Sequence, residues 1–220
     1  MTRVESPLVV SRRGEHTDLV LGNVVLLSSA ALGTERAFGA LVPPASTRVL
    51  IGGLGFGATL GGALGVLSPE ARVRVVEKVA EIEPLLRGEL AHLASDVLDD
   101  PRVEIENADV VDVLARERDL DAILLDVDNG PEWASFRTNA RIYAPAGLAA
   151  AHAALRPGGM LAVWSGYAAG EFLARLRAAG FTPSMVPLRE KGVLRARAYI
   201  GMKGPKGLDS PRASGEKSAP

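Results

Sequence analysis

The chain contains no cysteine, so thiolate nucleophiles, disulfide bonds and cysteine-ligated metal sites are all excluded. Aromatic residues make up only 5% of the 220 residues, whereas glycine is frequent, with 24 residues. This composition favours strands and helices rich in valine, leucine and alanine over an aromatic-rich β-sandwich. The net charge of −1 provides no global basic field, so we expect no nucleic-acid partner.

Signals of several catalytic classes are also missing. The three histidines, His16, His92 and His152, are far apart and lack metal-ligand spacing, so we expect no metal site. Neither a serine nucleophile elbow nor a phosphate-loop lysine motif is present. No secretory signal is visible, and the lack of cysteine is compatible with a reducing cytoplasm, where we expect the protein to reside.

One uncharged run, residues 49–67, is long enough to be mistaken for a membrane span. It has 19 residues and contains the spacing Gly57-x-x-x-Gly61-x-x-x-Gly65. Seven of its residues are glycine, concentrated at the front, and a strand, a turn and a helix explain that distribution better than one lipid-facing helix. We therefore expect no membrane association.

Residues 1–46 are predicted to form a small β-rich appendage. Apolar runs over 17–21 and 24–27 flank a Gly-Asn dipeptide, which is a signal for a two-residue β-hairpin. A short helix is expected over 34–41.

Residues 47–202 alternate strand and helix patterns, which predicts an α/β domain. The alternation implies a doubly wound, mostly parallel, Rossmann-like sheet with helices on both faces. Two runs, 185–188 and 196–200, are expected to pair as an antiparallel edge. Residues 203–220 are polar without an apolar period, which predicts a disordered tail. The other expected elements are strand 49–51, helix 58–67, strand 73–76, helix 82–93, strand 103–105, helix 110–114, strand 122–125, helix 148–155, strand 160–164 and helix 171–179.

A glycine-rich loop, residues 52–57, lies between the first strand and the first helix of this domain. Gly53, Gly55 and Gly57 allow a sharp turn and a close approach of the backbone to a ligand, and the helix N-terminus that follows favours polar or negative ligand groups. The position between a strand and a helix favours a nucleoside-binding loop. The alternative is a tight turn whose glycines serve only helix–sheet packing.

Two carboxylates follow the next two predicted strands. Glu77 stands 20 residues past Gly57, where a carboxylate accepts hydrogen bonds from both ribose hydroxyls in dinucleotide-binding sheets. Asp109 could accept a hydrogen bond from an adenine amino group, or it could cap the helix predicted over 110–114. The sequence leaves both uses of Asp109 open.

A cluster of polar side chains directly follows the most apolar predicted strand. Its members are Asp126, Asp128 and Asn129. Ligands of open α/β sheets bind beyond the carboxyl ends of the strands, where this group is expected to lie. Two neighbouring carboxylates can share charge, which raises the pKa of one of them, or attract a cation. An Asx-rich turn is the alternative, but the convergence of three polar groups favours catalysis or substrate binding.

Six segments of the main domain carry a family resemblance: 49–57, 75–77, 100–103, 107–109, 121–126 and 155–164. Together they resemble the spermidine synthase (polyamine aminopropyltransferase) family, which has a class I methyltransferase-type fold. The resemblance covers residues 17–202. It implies that Gly53, Gly55 and Gly57 line a sulfonium nucleoside donor, S-adenosylmethionine or its decarboxylated form.

The resemblance also implies roles for the remaining candidate residues. Glu77 holds the ribose and Asp109 the adenine, while Asp126 matches the first aspartate of the family's Asp-x-x-Asp-Pro motif, its catalytic position. Asn129 stands at the second aspartate of that motif, and Asp128 beside it could substitute. The family usually has an aspartate in the glycine loop where this chain has Gly55. The N-terminal appendage resembles a shortened form of the family's oligomerisation domain, which implies a homodimer.

Several activities remain open from the sequence. Aminopropyl transfer to a small-molecule amine is favoured by the Asp126/Asp128 pair, whereas the glycine at position 55 favours a methyltransferase that accepts the unmodified donor. A non-catalytic nucleoside- or polyamine-binding protein is a third alternative. An NAD-dependent oxidoreductase ranks last, because Gly53-x-Gly55-x-x-Ala58 fits the dinucleotide pattern but no second mononucleotide-binding half follows.

Overall fold

The computed structural model describes residues 8–14, 16–22, 24–127, 130–131 and 139–205. They form a three-stranded sheet at the N-terminus and a seven-stranded sheet flanked by helices. The strands are β1 (Leu8–Arg13), β2 (His16–Leu21), β3 (Val24–Ser28), β4 (Arg48–Gly52), β5 (Arg72–Glu77), β6 (Val103–Asn107), β7 (Leu120–Leu125), β8 (Leu155–Ser165), β9 (Phe181–Glu190) and β10 (Val193–Lys203). The helices are α1 (Leu32–Gly39), α2 (Ala58–Leu64), α3 (Ile82–Arg87), α4 (Ala91–Leu98), α5 (Val110–Arg116), α6 (Ala140–Tyr143), α7 (Pro145–Ala154) and α8 (Phe172–Ala178).

The N-terminal sheet contains the predicted hairpin, β2 and β3, and one strand more. Strand β1 pairs antiparallel with β2 along its whole length, so that Leu8 lies opposite Leu21. The sequence prediction lacked β1 because its second half, Ser-Arg-Arg, shows no alternation of apolar and polar residues. A single 3-10 turn, Ser29–Ala31, leads into α1, which is the helix predicted over 34–41.

The main sheet has the order β6-β5-β4-β7-β8-β10-β9. The pairs from β6 to β8 are parallel, whereas β10 runs antiparallel to both β8 and β9. The predicted doubly wound, mostly parallel sheet and its antiparallel edge are therefore confirmed. All six residues of β7 are buried, because helices cover both faces of the sheet centre. The direction of winding changes between β4 and β7, and the carboxyl ends of these strands border a crevice there.

Two predicted helices differ in the structure. The helix predicted over 82–93 is broken into α3 and α4, because the backbone of Gly88 leaves the helical region with φ −115° and ψ −107°. The helix predicted over 148–155 begins earlier, with Pro145 in its first turn, where a proline needs no hydrogen-bond donor. Strand β8 then starts at once and runs through the Pro-Gly-Gly segment, where Gly158 has φ +78°.

The run considered as a membrane span consists of β4, the glycine loop and α2. Helix α2 has only seven residues, all of them buried between the sheet and α1. Across the ranges that the structure describes, no helix combines the length and apolarity needed to cross a membrane. The sequence predicts a disordered tail from residue 203, whereas Lys203 is the last residue of β10. Residues 206–220 lie outside the described part of the chain.

Helices α1 and α2 touch through their backbones. A Cβ atom on Gly39 of α1 would lie 2.0 Å from the carbonyl oxygen of Thr59, and one on Gly62 of α2 would lie 2.0 Å from that of Arg36. Both distances are far below van der Waals contact, so only glycine permits this approach. The contact fixes α1 over the start of α2, next to the carboxyl end of β7.

Asp121, at the start of β7, joins three segments at the opposite end of the sheet. Its Oδ2 accepts hydrogen bonds from the backbone nitrogens of Thr47 and Arg48 at 2.7 and 2.8 Å, and its Oδ1 accepts one from Arg156. Burial by itself would raise the pKa of Asp121, but the hydrogen bonds from Arg156, Arg48 and Thr47 outweigh it and lower the pKa to about 2.

Replacing Asp121 with Asn is expected to lower the free energy of unfolding at neutral pH by about 1–3 kcal/mol, because Arg156 and two backbone N–H groups lose a charged acceptor. The native pKa of Asp121 lies below the ordinary value of 3.8. This stabilisation is therefore fully present above pH 3.8 and is lost as the pH falls through about 2. Urea unfolding across that range measures it. Asp112→Asn is the control, since Asp112 is exposed and lies 3.8 Å from Arg141. Equal losses in the two variants would contradict the assignment.

Candidate functional site

A cavity of about 180 Å³ lies at the carboxyl ends of β4 to β7. The glycine loop forms one side of it, and Leu26 and Leu27 of the N-terminal sheet form part of another. Three carboxyl groups that the sequence singled out line it together: Glu77, Asp109 and Asp126. The remaining lining is mainly apolar, as is usual for a pocket that takes a small organic molecule.

The three glycines of the loop have different surroundings. Gly53 has φ +92°, and a Cβ atom there would lie 2.1 Å from the carbonyl oxygen of Asp126, so a side chain is excluded. Gly55 has φ +52° and lines the cavity, and the nearest atom to its Cβ position is Leu27 Cδ2 at 3.8 Å. Gly57 lies against α4, with Val97 Cγ2 at 3.0 Å from its Cβ position. The structure thus brings Gly53 and Gly55 to the cavity and uses Gly57 in helix packing.

Glu77, at the end of β5, joins the cavity to the glycine loop. Its Oε2 accepts a hydrogen bond from the backbone nitrogen of Leu54 at 2.8 Å, and its Oε1 accepts one from Val79 at 2.7 Å. Burial raises the pKa of Glu77, and these backbone hydrogen bonds oppose the rise. The backbone nitrogens of Lys78 and Gly55 also donate to this carboxylate, so Glu77 fixes the glycine loop through its main chain.

Asp109 serves as a helix cap in this structure, which is one of the two uses that the sequence left open. Its Oδ1 accepts a hydrogen bond from Val111 at the start of α5, and its Oδ2 lies 2.8 Å from Lys78 Nζ. Burial by itself would raise the pKa of Asp109, but the hydrogen bonds from Lys78 and Val111 outweigh it and lower the pKa. Lys78, which the sequence analysis did not single out, therefore adds a cation to the cavity lining.

Asp126 follows β7 and is half-buried at the inner side of the cavity. The hydroxyl of the buried Thr59, in α2, donates a hydrogen bond to its Oδ2 at 2.5 Å. Burial raises the pKa of Asp126 to about 6, against the effect of the Thr59 hydrogen bond. Asp128 and Asn129 lie outside the described residues. No cluster of metal-binding side chains is present within the described ranges.

Glu35, on α1, is a second acidic group beside Asp126. The Thr59 hydroxyl that bonds Asp126 also lies 3.3 Å from the backbone oxygen of Glu35. Burial raises the pKa of Glu35 to about 9, and the negative charge of Asp126 adds to the rise. The sequence analysis missed Glu35 because no local spacing links a residue of the appendage to the end of a distant strand.

Replacing Glu35 with Gln is expected to stabilise the protein in alkaline solution. The native pKa lies above the ordinary value of 4.5, so the folded state binds more protons than the unfolded state up to about 9, and stability falls as the pH rises through this window. The free energy of unfolding of the variant should exceed that of the native protein by about 1–3 kcal/mol near pH 8.5. This is less than the free energy that corresponds to the whole pKa shift, because Glu35 is half-buried. The gain should vanish near pH 4.5.

Thermal unfolding at several pH values measures this difference between Glu35→Gln and the native protein. Glu81→Gln is the matched control, because Glu81 is exposed at the start of α3. A gain that grows towards acid pH, or one that the control reproduces, would contradict the assignment.

Comparisons with known proteins agree with the predicted resemblance in fold. No protein-family model matches this sequence, and no curated protein matches it at a significant level. A spermidine synthase in complex with the transition-state analogue AdoDATO has a TM-score of 0.65 at 15% identity, over 89% of this chain and 72% of that one. The spermidine synthase from Thermotoga maritima has a TM-score of 0.65 at 15% identity, and the match covers 90% of this chain and 72% of that one. A probable spermidine synthase from Corynebacterium glutamicum has a TM-score of 0.61 at 18% identity, and the match covers 89% of this chain and 76% of that one. The chain therefore has the fold of spermidine synthases.

Proposed function

We propose that this protein is a transferase that binds an S-adenosylmethionine-type nucleoside in the cavity and moves an aminopropyl group to a small amine. One observation carries the proposal. The glycine loop, Glu77 and Asp126 converge on a single cavity at the point where the sheet changes its direction of winding. Such crevices are the usual ligand sites of open α/β sheets. The fold of spermidine synthases supports the choice of nucleoside.

The donor half of the proposed site consists of the loop and the ends of β5 and β6. The main chain at Gly53 and Gly55 approaches the sulfonium end of the nucleoside, and Glu77 accepts hydrogen bonds from the ribose hydroxyls. The apolar side chains of Val79 and Ile82, which line the cavity, contact the adenine ring. Asp109, held by Lys78, lies at the rim that receives the amino group of the base.

The acceptor half contains Asp126. An alkylammonium with a pKa of about 10.4 must lose a proton before its nitrogen can attack. The Asp126 carboxylate accepts this proton, the nitrogen bonds to the carbon next to the sulfonium, and the carbon–sulfur bond breaks with its electrons going to sulfur. A neutral thioether leaves, and the positive charge stays with the new secondary amine. Asp128 and Asn129 are proposed to anchor the distal ammonium group.

Gly55 favours methyl transfer as the second candidate function, because no loop carboxylate is present to hold the free amine of a decarboxylated donor. Calorimetric titration with S-adenosylmethionine, its decarboxylated form, methylthioadenosine and NAD separates the candidates. Tighter binding of the decarboxylated donor, followed by turnover with putrescine, is the result expected for aminopropyl transfer. Tighter binding of S-adenosylmethionine would favour methyl transfer, and no binding of any nucleoside would overturn the proposal.

Replacing Gly55 with Asp is expected to increase preference for the decarboxylated donor about tenfold or more. The Cβ position is open, and aspartate is among the residues that tolerate a left-handed backbone at φ +52°. The new carboxylate would bond the donor's ammonium group, which is worth about 1.5–3 kcal/mol. The ratio of dissociation constants for the two donors measures the shift. Gly55→Asn is the matched uncharged control, and an equal shift in that variant would contradict the expectation.

A further inference from the structure

The hydroxyl group of Thr59 contacts the carboxylate that the proposed reaction uses as its base. Thr59 is the second residue of α2, which directly follows the glycine loop, and only 3% of the residue is exposed. Its Oγ1 donates a hydrogen bond to Oδ2 of Asp126 at 2.5 Å. Asp126 lines the cavity, whereas Thr59 is not part of the described lining. Thr59 therefore reaches the cavity through Asp126.

The donor of this hydrogen bond is held by the contact between α1 and α2. A Cβ atom on Gly39 would lie 2.0 Å from the carbonyl oxygen of Thr59, so the two backbones touch at this residue. Because threonine is β-branched, few side-chain rotamers are open to it within a helix. Its one hydroxyl proton has two acceptors in reach, Asp126 at 2.5 Å and the backbone oxygen of Glu35 at 3.3 Å. The shorter distance is typical of a hydroxyl that donates to an ionised carboxylate.

The main chain of Asp126 is held as well. Its nitrogen donates to the carbonyl oxygen of Gly52 at 2.8 Å, which continues the pairing of β7 with β4. Its own carbonyl oxygen would lie 2.1 Å from a Cβ atom on Gly53, so the glycine loop packs directly against it. With the backbone held on both sides, the remaining freedom of Asp126 is the rotation of its side chain. The hydrogen bond from Thr59 restricts that rotation.

We propose that Thr59 is a positioning residue for the transfer reaction: its hydroxyl holds Oδ2 of Asp126, so that Oδ1 is the oxygen that accepts the proton of the attacking amine. This role rests on the proposed function of the cavity. The proton moves from the amine nitrogen to Oδ1, and the hydrogen bond to Oδ2 stays in place. A general base must lie within hydrogen-bond reach of the proton that it removes, and a displacement of about 1 Å costs about a hundredfold in rate.

The same hydrogen bond acts on the charge of Asp126. Burial raises the pKa of Asp126 to about 6, and the Thr59 hydrogen bond opposes this rise. A hydroxyl that donates to a carboxylate stabilises its ionised form, which is the form that can accept a proton. Loss of the hydroxyl should therefore raise the pKa of Asp126 further.

Thr59→Val, which replaces the hydroxyl with a methyl group of similar size, is expected to lower the rate of transfer by a factor of about 10–100. Single-turnover kinetics with enzyme and nucleoside donor in excess over the amine measures it. Thr59→Ser keeps the hydroxyl and should restore the rate to within about threefold, and donor affinity should change by less than about threefold in both variants. Equal losses in the valine and serine variants would indicate a packing defect and overturn the inference.

The matched control is Thr47→Val. The Thr47 hydroxyl also donates to an aspartate, Oδ2 of Asp121 at 3.0 Å, but at the opposite end of the sheet. This variant loses the same kind of hydrogen bond away from the cavity and should keep the native rate of transfer. A loss as large as that of Thr59→Val would overturn the specific role of Thr59.

A double-mutant cycle tests whether Thr59 acts through Asp126. In the Asp126→Asn protein, the further change Thr59→Val should alter the rate by less than about twofold, because no carboxylate remains to be positioned. An additional loss as large as that in the native background would show that Thr59 acts independently of Asp126 and would overturn the inference.

A measurement without ligand separates this role from the proposed function. Carbon-detected NMR of the Asp126 carboxyl group should give a higher titration midpoint in Thr59→Val than in the native protein, and an unchanged midpoint in Thr59→Ser and Thr47→Val. An unchanged midpoint in Thr59→Val, with transfer observed in the native protein, would overturn the role of Thr59 alone. Absence of nucleoside binding by the native protein would overturn the proposed function, and this role with it.

Discussion

Asp126→Asn is expected to lower the rate of transfer by a factor of about 10²–10⁴, the usual contribution of a general base. Asparagine cannot accept the proton that the attacking ammonium must lose. It does keep the size of the side chain and the oxygen that accepts the hydrogen bond from Thr59. Single-turnover kinetics, with enzyme and nucleoside donor both in excess over the amine, measures the effect. The affinity for the donor should stay within about threefold of the native value, because Asp126 contacts the acceptor in the proposed reaction.

We expect Asp126→Asn to remain folded. The raised pKa of Asp126 makes its ionised form a destabilising group above about pH 6, so the neutral amide should leave the protein as stable or more stable there. Asp112→Asn, at an exposed position on α5, is the matched control and should keep full activity. Unchanged turnover in Asp126→Asn would remove the catalytic role assigned to this carboxylate.

Gly62→Ala is expected to lower the free energy of unfolding by about 2–3 kcal/mol, the upper part of the range for overpacked cores. In an exposed helix, alanine would instead be favoured over glycine by about 1 kcal/mol. The sign is reversed here because the new methyl group would lie 2.0 Å from the carbonyl oxygen of Arg36, which is backbone and cannot rotate away. The two helices must separate, and α1 then moves away from the end of β7.

Gly65→Ala, one turn further along the chain, is the matched control. Gly65 has ordinary helical dihedrals, with φ −68°, and the nearest atom to its Cβ position is at 3.4 Å. We expect a neutral or slightly stabilising effect there. Urea unfolding in which both alanine variants behave alike would show that the backbone contact does not hold the helices together.

The N-terminal segment contributes to the architecture in two places. Its sheet supplies Leu26 and Leu27 to one wall of the cavity, while the backbone oxygen of Glu35 in its helix lies 3.3 Å from the Thr59 hydroxyl that bonds Asp126. The main domain supplies the rest of the described cavity lining. The appendage therefore forms part of the cavity wall, and changes in Leu26 or Leu27 should alter the shape of the cavity as well as stability.

The sequence by itself determined the features that depend on local patterns. Alternating strand and helix signals predicted the parallel sheet, and the glycine loop with Glu77 predicted where a nucleoside would bind. Asp126 could be placed at the same edge because the carboxyl ends of adjacent parallel strands lie together. These inferences needed only the period of the apolar residues, the position of the glycines and the general rules of open sheets.

Only the tertiary structure decided how the side chains at that edge are paired. It assigned Asp109 to the cap of α5 and to Lys78, and it brought the backbone oxygen of Glu35 and the carboxylate of Asp126 to the same Thr59 hydroxyl. Both outcomes depend on contacts between segments far apart in the chain, which no local spacing encodes. The approach of α1 to α2 is the clearest case, because the glycine at position 62 serves a helix–helix contact that becomes visible only when both backbones are in place.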